Sequence, residues 1–239
     1  GTVMKKCVTT AAGVAGWALT AGLASGALAY DKGDMLLRFG VATVDPQTST
    51  GELTSNGAEV PIGDDLVEVK AGTAAGISFT YMFTPLVGLE LLAATPFSHD
   101  IDADGGLRQL GLDQIGTTRH LPPTLSVQYY PFGNADQPWQ LYLGVGVNFT
   151  WFFDEELDSD TKAALGVDDA DFSLKDSWGL AASVGFDWLF GEHWLVNASL
   201  MWADINTEAS IDNSVLGDLT VRDIQIDPLV YRINAGYRF

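Results

Sequence analysis

Regular alternation of apolar residues with small or polar ones, in eight separate segments, is the feature that most constrains this chain. In the segment from Trp139 to Trp151, every second residue is Trp, Leu, Val or Phe, and the residues between them are Gln, Tyr, Gly, Asn and Thr. Successive side chains of a β-strand point to opposite faces, so this period of two predicts strands with two unlike faces. The eight segments are 35–44, 72–81, 87–97, 121–130, 139–151, 178–188, 194–202 and 229–239.

The lengths of the segments and of their connections favour a membrane barrel. A tilted strand needs about 9 to 11 residues to cross the hydrocarbon layer, whereas a strand of a soluble sheet has about 5 to 6. Three connections are short, and the other four, approximately 45–71, 98–119, 153–175 and 204–226, are long and alternate with them. Short periplasmic turns alternating with long extracellular loops are typical of outer-membrane barrels. We therefore predict an all-β fold, an eight-stranded antiparallel up-and-down transmembrane β-barrel, closed by pairing of its first and last strands.

The charged residues within the segments support the same fold. None lies on an apolar stripe, and the opposite face carries Arg38, Glu90, Asp187, Arg232 and Arg238. A Lys or Arg facing lipid near the bilayer midplane costs about 2 to 4 kcal/mol, so a lipid-facing stripe predicts this sorting. The alternative, a soluble lipocalin-like barrel, would expose long apolar stripes to water.

The first 29 residues carry the pattern of a secretory signal peptide. Three residues precede Met4, Lys5 and Lys6 form a positive region, an apolar stretch follows, and Ala27-Leu28-Ala29 supplies a cleavage pattern. A transmembrane helix is the alternative, but the glycines of the stretch and its Ala-Leu-Ala exit favour cleavage. We predict one mature domain, residues 30–239, in the cell outer membrane.

Composition excludes two kinds of function. Cleavage removes Lys5 and Lys6, which leaves 10 basic against 31 acidic residues, a net charge of −21. Such a surface repels phosphates, so nucleic acid is excluded as a partner. Cys7 lies in the predicted signal peptide and is the one cysteine of the chain, so thiol chemistry is excluded in the mature domain.

Six strings of residues, in order and at family spacing, resemble the outer-membrane protein W family along essentially all of the mature length. They are FGVATV (39–44), VGLELLAATPF (87–97), HLPPTL (120–125), SLKDSWG (173–179), WLVN (194–197) and AGYRF (235–239). The resemblance implies an eight-stranded barrel whose lumen is narrow, apolar in its outer part, and carries small hydrophobic molecules. It also implies that these molecules can be released sideways into the membrane.

The resemblance further places a channel constriction at Leu92 and Met201, which the alternation independently predicts to face inward. The family has a tryptophan at the second position, so Met201 is a departure that puts the tightness of the constriction in doubt. The alternative is that the two side chains merely fill the barrel, because an eight-stranded interior is just wide enough for side chains.

Four inward charges predict an ion-pair network in the lumen. Arg38 and Arg232 lie on the first and last strands, and we expect Glu90, with Asp187, to neutralise them, since unpaired charge in a narrow dry lumen is costly. A structural role is favoured over a proton or ion path.

Two features near the loops suggest ion binding, each with a simpler alternative. His99, Asp100 and His120 are expected near the outer rim and could hold a metal, although ordinary loop side chains are the commoner explanation. Residues 154–171 hold eight acidic residues against Lys162, which predicts a hydrated acidic rim, with divalent ions bridging to lipopolysaccharide as a further hypothesis. Within it, residues 160–166 predict one helical turn that begins at Asp160 and ends at Gly166. No cofactor motif is present in the sequence.

The sequence gives no sign of an enzyme, because it has no G-x-S-x-G elbow and no separated triad. A water-filled porin is excluded by strand number, because such channels need about 16 to 18 strands. The leading hypothesis is a narrow apolar channel. The alternative is a plugged structural or receptor-like barrel whose long acidic loops bind external partners. The terminal Phe239 resembles the signal read by outer-membrane assembly machinery. The alternative is that Phe239, beside Tyr237, simply completes the aromatic girdle, a ring of aromatic side chains at the inner ends of the strands.

Overall fold

The computed structural model describes residues 29–166, 170–212 and 217–239. In these ranges the helices are α1 (Gly105–Gln109) and α2 (Ser159–Leu165). The strands, in chain order, are β1 (Met35–Asp45), β2 (Leu53–Ser55), β3 (Ala58–Glu59), β4 (Val67–Val69), β5 (Gly72–Thr84), β6 (Val87–Ala94), β7 (Phe97–Ala103), β8 (Gln114–Leu121), β9 (Thr124–Tyr129), β10 (Trp139–Leu157), β11 (Asp171–Leu174), β12 (Ser177–Phe190), β13 (Trp194–Ala203), β14 (Asn206–Asp212), β15 (Leu219–Gln225) and β16 (Leu229–Arg238).

Eight of these strands close into an antiparallel barrel, as predicted. Their order is β12-β13-β16-β1-β5-β6-β9-β10, and β10 pairs with β12 to complete the ring. The first and last strands pair in a register that sets Leu37 opposite Tyr237 and Arg38 opposite Gly236. Closure leaves the eight barrel strands without a free sheet edge, which a bilayer requires because it offers no water to unpaired backbone groups.

The period of two in the sequence sets the two faces of the barrel wall. Phe39, Val145 and Ile233 lie on the outside and are 62%, 68% and 69% exposed, whereas Leu36 and Arg38, on the inside of β1, are almost fully buried. The apolar stripes therefore face lipid. Neither helix in the described part of the chain is long and apolar enough to cross a membrane.

Two of the predicted segments are interrupted by proline. The segment 87–97 was expected as one strand, but β6 ends at Ala94 and β7 begins at Phe97, with Pro96 between them. The segment 121–130 was also expected as one strand, but β8 ends before Pro122 and β9 begins after Pro123. Proline has no backbone N–H to donate to a ladder, which is why it ends strands inside a sheet.

The long extracellular connections are more ordered than the sequence indicates. β10 continues to Leu157, beyond the predicted end of its segment, and carries an extension made of β8, β7 and β4. The other connections build a second sheet in the order β11-β14-β15-β2-β3. Residues that were predicted to be loop thus form a folded layer above the barrel.

The predicted helical turn at residues 160–166 is present as helix α2, but the helix begins earlier than predicted, at Ser159. Its N-cap is Asp158, whose carboxylate accepts a hydrogen bond from the backbone N–H of Asp160, so Asp160 lies inside the helix. The C-terminal end is at Gly166 as predicted, in the left-handed conformation that glycine adopts most readily. The predicted signal peptide, apart from Ala29, lies outside the described residues.

Candidate functional site

The periplasmic half of the barrel is filled by side chains. A buried cluster at this end combines aromatic and aliphatic residues, none more than 3% exposed: Tyr30, Leu36, Met82, Tyr130, Tyr142, Leu189 and Leu195. Tyr30 precedes β1 and enters the barrel from its end, where its backbone N–H donates to the carbonyl of Gly133. The side chains of this cluster pack against one another inside the barrel, in line with the narrow interior of an eight-stranded barrel.

A charged layer lies within the same half, and Asp187 is its centre. Arg38 donates to Asp187 from Nη2 at 2.7 Å and from Nε at 3.2 Å. The Oη of Tyr30 also donates to Asp187, at 2.7 Å, and Nδ2 of Asn197 donates to it at 2.8 Å. The carboxylate is therefore fully surrounded by donors, which is what a buried charge needs to be tolerated.

Glu90 lies between the two arginines of the predicted network at longer range. Its Oε1 is 3.7 Å from Nη1 of Arg38, and its Oε2 is 3.7 Å from Nη2 of Arg232. Arg232 also donates from Nε to the hydroxyl of Ser199 at 2.9 Å. The structure thus brings all four predicted charges together, with the closest pair formed by Asp187 and not by Glu90.

Sequence reasoning missed the uncharged members of this network. Tyr130 accepts from Nη2 of Arg38 and donates to Gln128, and Thr80 accepts from Nη1 of Arg38 at 2.8 Å. The alternation already predicts that Thr80, Gln128 and Tyr130 face inward. A polar side chain on an inward face was therefore the sequence signal that could have identified them as members of the network. Tyr30 offered no such signal, because it lies outside every alternating segment.

Leu92 and Met201 lie inside the barrel above the charged layer. They are 7% and 6% exposed and pack in a buried apolar cluster with Val44 and Val230. Both line a small cavity of about 20 Å³ whose wall also includes Arg232. The two side chains therefore mark the boundary between the polar inner half and the apolar outer half of the lumen.

A much larger cavity of about 490 Å³ lies above this boundary, within the folded extracellular layer. Its wall is mainly Val, Leu, Ile, Pro and Phe from the barrel rim, both extracellular sheets and both helices; examples are Val44, Leu53, Ile101, Leu107, Leu165 and Ile226. None of the described residues that line it is charged. Binding sites for small molecules typically have volumes of about 300 to 1,000 Å³ and apolar walls.

Two histidines line the large cavity, and one of them, His120, also lines the small one. The rings of His99 and His120 are stacked with centroids 4.8 Å apart and an angle of 7° between their planes. Burial lowers the pKa of His99, and burial together with the neighbouring His99 lowers the pKa of His120 to about 3. Both rings are therefore neutral at pH 7. Asp100 follows His99 in β7 and faces the other side of the strand, so the three side chains considered as possible metal ligands are not brought together.

The barrel wall is interrupted beside the small cavity. The β6–β9 register ends at Leu92 and Thr124, and pairing between β7 and β8 resumes at Phe97 and His120. Pro122, with Ala93 and Ala94, lines the small cavity at this interruption. We call the unpaired stretch, 93–96 against 121–123, the seam. The two stretches of the seam lack ladder pairing with each other, while Ala93 and Ala94 remain paired with β5 and Leu121 with β10.

Two other predicted features have simple surroundings. In the acidic loop, Asp154 pairs with Arg119 at 3.2 Å on the surface, and residues 167–169 lie outside the described ranges. Phe239 is 62% exposed at the periplasmic end, where its ring contacts Tyr237 at 4.8 Å and its backbone N–H donates to the carbonyl of Met35. The C-terminal residue is thus held by β1 while its ring remains accessible.

Comparison with known proteins agrees with this architecture. The model of the OmpW family matches residues 31–239. Outer membrane protein W of Vibrio cholerae serotype O1 is 41% identical over 229 residues, covering 95% of this chain and 98% of the relative. Outer membrane protein W of Escherichia coli K12 is 43% identical over 228 residues, with the same coverage of both chains.

A solved structure supports the fold at the level of coordinates. The crystal structure of the outer membrane protein OprG from Pseudomonas aeruginosa superposes with a TM-score of 0.80 at 40% identity, covering 90% of this chain and 99% of that one. Strand order, lipid-facing stripes and similarity over almost the whole chain thus agree, and this protein of the outer membrane belongs to the OmpW family.

Proposed function

We propose that the protein is a narrow apolar channel that takes small hydrophobic molecules from outside the cell and releases them sideways into the outer membrane. The observation that carries the proposal is the 490 Å³ uncharged cavity above the barrel. It shares Val44, His120, Ile205 and Pro228 with the small cavity at the seam. The two cavities are therefore neighbours along one path, from the extracellular layer to the barrel wall.

The apolar wall sets the class of solute. Burying apolar surface is worth about 25 cal/mol per Å², so a hydrophobic molecule gains free energy on entering from water. A charged solute would lose its hydration in a cavity without a described charge to pair with it. Small hydrophobic molecules are thus the solutes that this cavity favours.

The filled inner half sets the direction of release. A solute that continued along the axis would have to displace the buried aromatic cluster and break the ion pairs of Asp187. The seam offers a shorter exit, because Pro96, Pro122 and Pro123 provide no N–H for a ladder there. Leu92 and Met201 would form the floor of this exit and set the width of the constriction.

A plugged structural or receptor-like barrel is the alternative, and the filled inner half fits it equally well. What favours the channel is the outer cavity, since a barrel that serves only as a scaffold has no need of an uncharged space of this size. Binding of lipopolysaccharide at the acidic rim and recognition of Phe239 by assembly machinery are compatible with both functions and remain proposals.

Uptake of a fluorescent apolar probe, N-phenyl-1-naphthylamine, tests the channel. Cells would carry the native protein, Leu92→Trp, Met201→Trp or no protein, at equal levels in the outer membrane. We expect both Trp variants to slow uptake, because an indole at either position fills the floor of the exit. Leu91→Trp is the matched control, because Leu91 neighbours Leu92 on the same strand and faces lipid, 52% exposed.

The outcomes separate the two functions. Slow uptake in the Leu92 and Met201 variants, with native rates in the Leu91 variant, supports the channel. Equal uptake in all strains, including cells without the protein, removes it and leaves the structural or receptor-like barrel.

A further inference from the structure

The histidine pair at the wall of the outer cavity carries hydrogen-bonding capacity that the protein does not use. His99 is 2% exposed and His120 is 6% exposed, and both rings line the cavity. The Nε2 atom of each is buried and has no hydrogen-bond partner among the described residues. Leaving a buried polar group without a hydrogen bond is costly, so two such nitrogens in a cavity wall indicate that a bound molecule supplies the hydrogen-bond partner.

The hydrogen-bond role of His99 follows from its other nitrogen. Nδ1 of His99 lies 2.6 Å from the carbonyl oxygen of Lys70, and a carbonyl oxygen can only accept. Nδ1 therefore carries the proton of the neutral ring, which leaves a lone pair on Nε2. The partner that His99 lacks is a hydrogen-bond donor.

The other polar side chains of the wall are mostly occupied. Four threonines that line the cavity each donate their hydroxyl to another group of the protein: Thr118 to the carbonyl of Arg119, Thr150 to Oδ1 of Asn148, Thr161 to the carbonyl of Gln114 and Thr207 to the carbonyl of Lys175. Their hydrogens are thus directed away from the histidines. The buried polar atoms without a hydrogen-bond partner in this cavity wall thus lie together at one edge, on His99 and His120.

We infer that the outer cavity selects apolar molecules that carry a single hydroxyl group, and that this hydroxyl donates to Nε2 of His99. The inference rests on the proposed function and narrows its solute class from hydrophobic molecules in general to alcohols. The second ring, His120, lies on the path to the seam, so it can hold the same hydroxyl as the solute moves on. Both Nε2 atoms are buried, so binding includes a small separation of the stacked rings.

Two isomers test this selection directly. 1-Decanol and 1-methoxynonane have the same atoms, but only the alcohol can donate a hydrogen bond. The full mature chain, with ¹⁵N-labelled histidine, would be placed in phospholipid nanodiscs and titrated with each compound. His120→Phe and His193→Phe assign the resonances, since His193 lies exposed at a periplasmic turn, far from the cavity.

We expect the Nε2 resonance of His99 to move with 1-decanol and to stay in place with 1-methoxynonane. In competition against N-phenyl-1-naphthylamine, with empty nanodiscs as background, the alcohol should bind roughly three- to tenfold more tightly than its isomer, as one added hydrogen bond provides. The preference should disappear in His99→Phe and persist in His193→Phe. The measurement on the native chain does not depend on the folding of any variant.

Three results would overturn the inference: equal binding of both isomers, an unchanged preference in His99→Phe, or an Nε2 resonance that is already hydrogen-bonded without ligand and unaffected by 1-decanol, which would mean an ordered water only. Equal binding of the isomers would leave the channel intact. Selective binding of 1-decanol combined with equal uptake in all strains, including cells without the protein, would instead remove the channel and leave the ligand assignment standing.

Discussion

Replacing Asp187 with asparagine should destabilise the barrel far more than the loss of one surface charge. The substitution keeps the shape of the side chain but removes the negative charge that Arg38 contacts through two nitrogens. The two buried arginines would then face Glu90 alone, and Glu90 lies 3.7 Å from each of them. One positive charge of the lumen is left without a close partner.

The magnitude follows from the burial of the pair. Arg38 and Asp187 are 1% and 0% exposed, so water cannot screen the charge that remains. Removing one partner of such a pair costs about 3 to 5 kcal/mol, most of it the free energy of leaving a buried charge uncompensated. By contrast, Arg119 and Asp154 form an ion pair at 3.2 Å with side chains 56% and 61% exposed. The pair at the surface is worth about 0 to 1 kcal/mol.

Reversible unfolding in urea, with the protein in lipid vesicles and followed by tryptophan fluorescence, measures this difference. Asp187→Asn should lower the free energy of unfolding by about 3 to 5 kcal/mol, and the control Asp154→Asn by no more than about 1. A double variant, Arg38→Met with Asp187→Leu, should recover a large part of the loss, because no unpaired charge remains. Equal effects of Asp187→Asn and Asp154→Asn would refute the account of the lumen as a coupled charge network.

Three further predictions follow from other parts of the molecule. The pKa of His120 is about 3 in the folded chain against its usual 6.5, so its neutral form contributes stability above pH 6.5 that is lost as the pH falls toward 3. Between pH 7.5 and 4.5, the urea midpoint of the native chain should therefore drop more than the urea midpoint of His120→Phe. Parallel pH curves for the two proteins would contradict this prediction. A methyl group at Gly185 would overlap the buried ring of Tyr142, so Gly185→Ala should lower the free energy of unfolding by about 1 to 3 kcal/mol. In the control Gly76→Ala, the new Cβ lies 3.6 Å from its nearest neighbouring atom, so this substitution should be tolerated. Deletion of Phe239 should reduce the yield of membrane-inserted barrel more than the urea stability of the barrel that does assemble; an equal loss of both would leave the residue only its place in the aromatic girdle.

The transmembrane part of the fold could be predicted from the sequence because lipid imposes a strict rule on each strand. In segments long enough to cross the hydrocarbon layer, an apolar residue such as Phe39 or Val145 at every second position faces lipid in a closed barrel, so strands, faces and closure follow from the local pattern. The breaks at Pro96 and Pro122 are also local, but alternation continues across them and hides them. At these points the missing N–H of proline predicts the strand break, whereas the alternation predicts a continuous strand.

The extracellular layer and the site could be predicted only in part. Strands such as β14 and β15 lie between water and the cavity, and neither has the long series of large apolar residues at every second position that predicts the barrel strands. The inward charges were predictable from alternation, but the preference of Arg38 for Asp187 over Glu90 depends on distances across the barrel, between strands far apart in sequence. The cavity belongs to several elements at once, so no single stretch encodes it.

Locking the seam tests most directly the claim that solutes leave the lumen sideways. Residues 30–239 contain no cysteine, so Ala93→Cys with Leu121→Cys can be joined by a short bis-methanethiosulfonate cross-linker, which forms a reducible disulfide with each thiol. Leu91→Cys with Leu125→Cys, a pair already within the ladder, serves as the control. We predict that cross-linking the first pair stops uptake of N-phenyl-1-naphthylamine, that reduction restores it, and that the control pair has no effect. Unchanged uptake through a locked seam, in a protein whose Met201→Trp variant takes up the probe more slowly, would contradict lateral release.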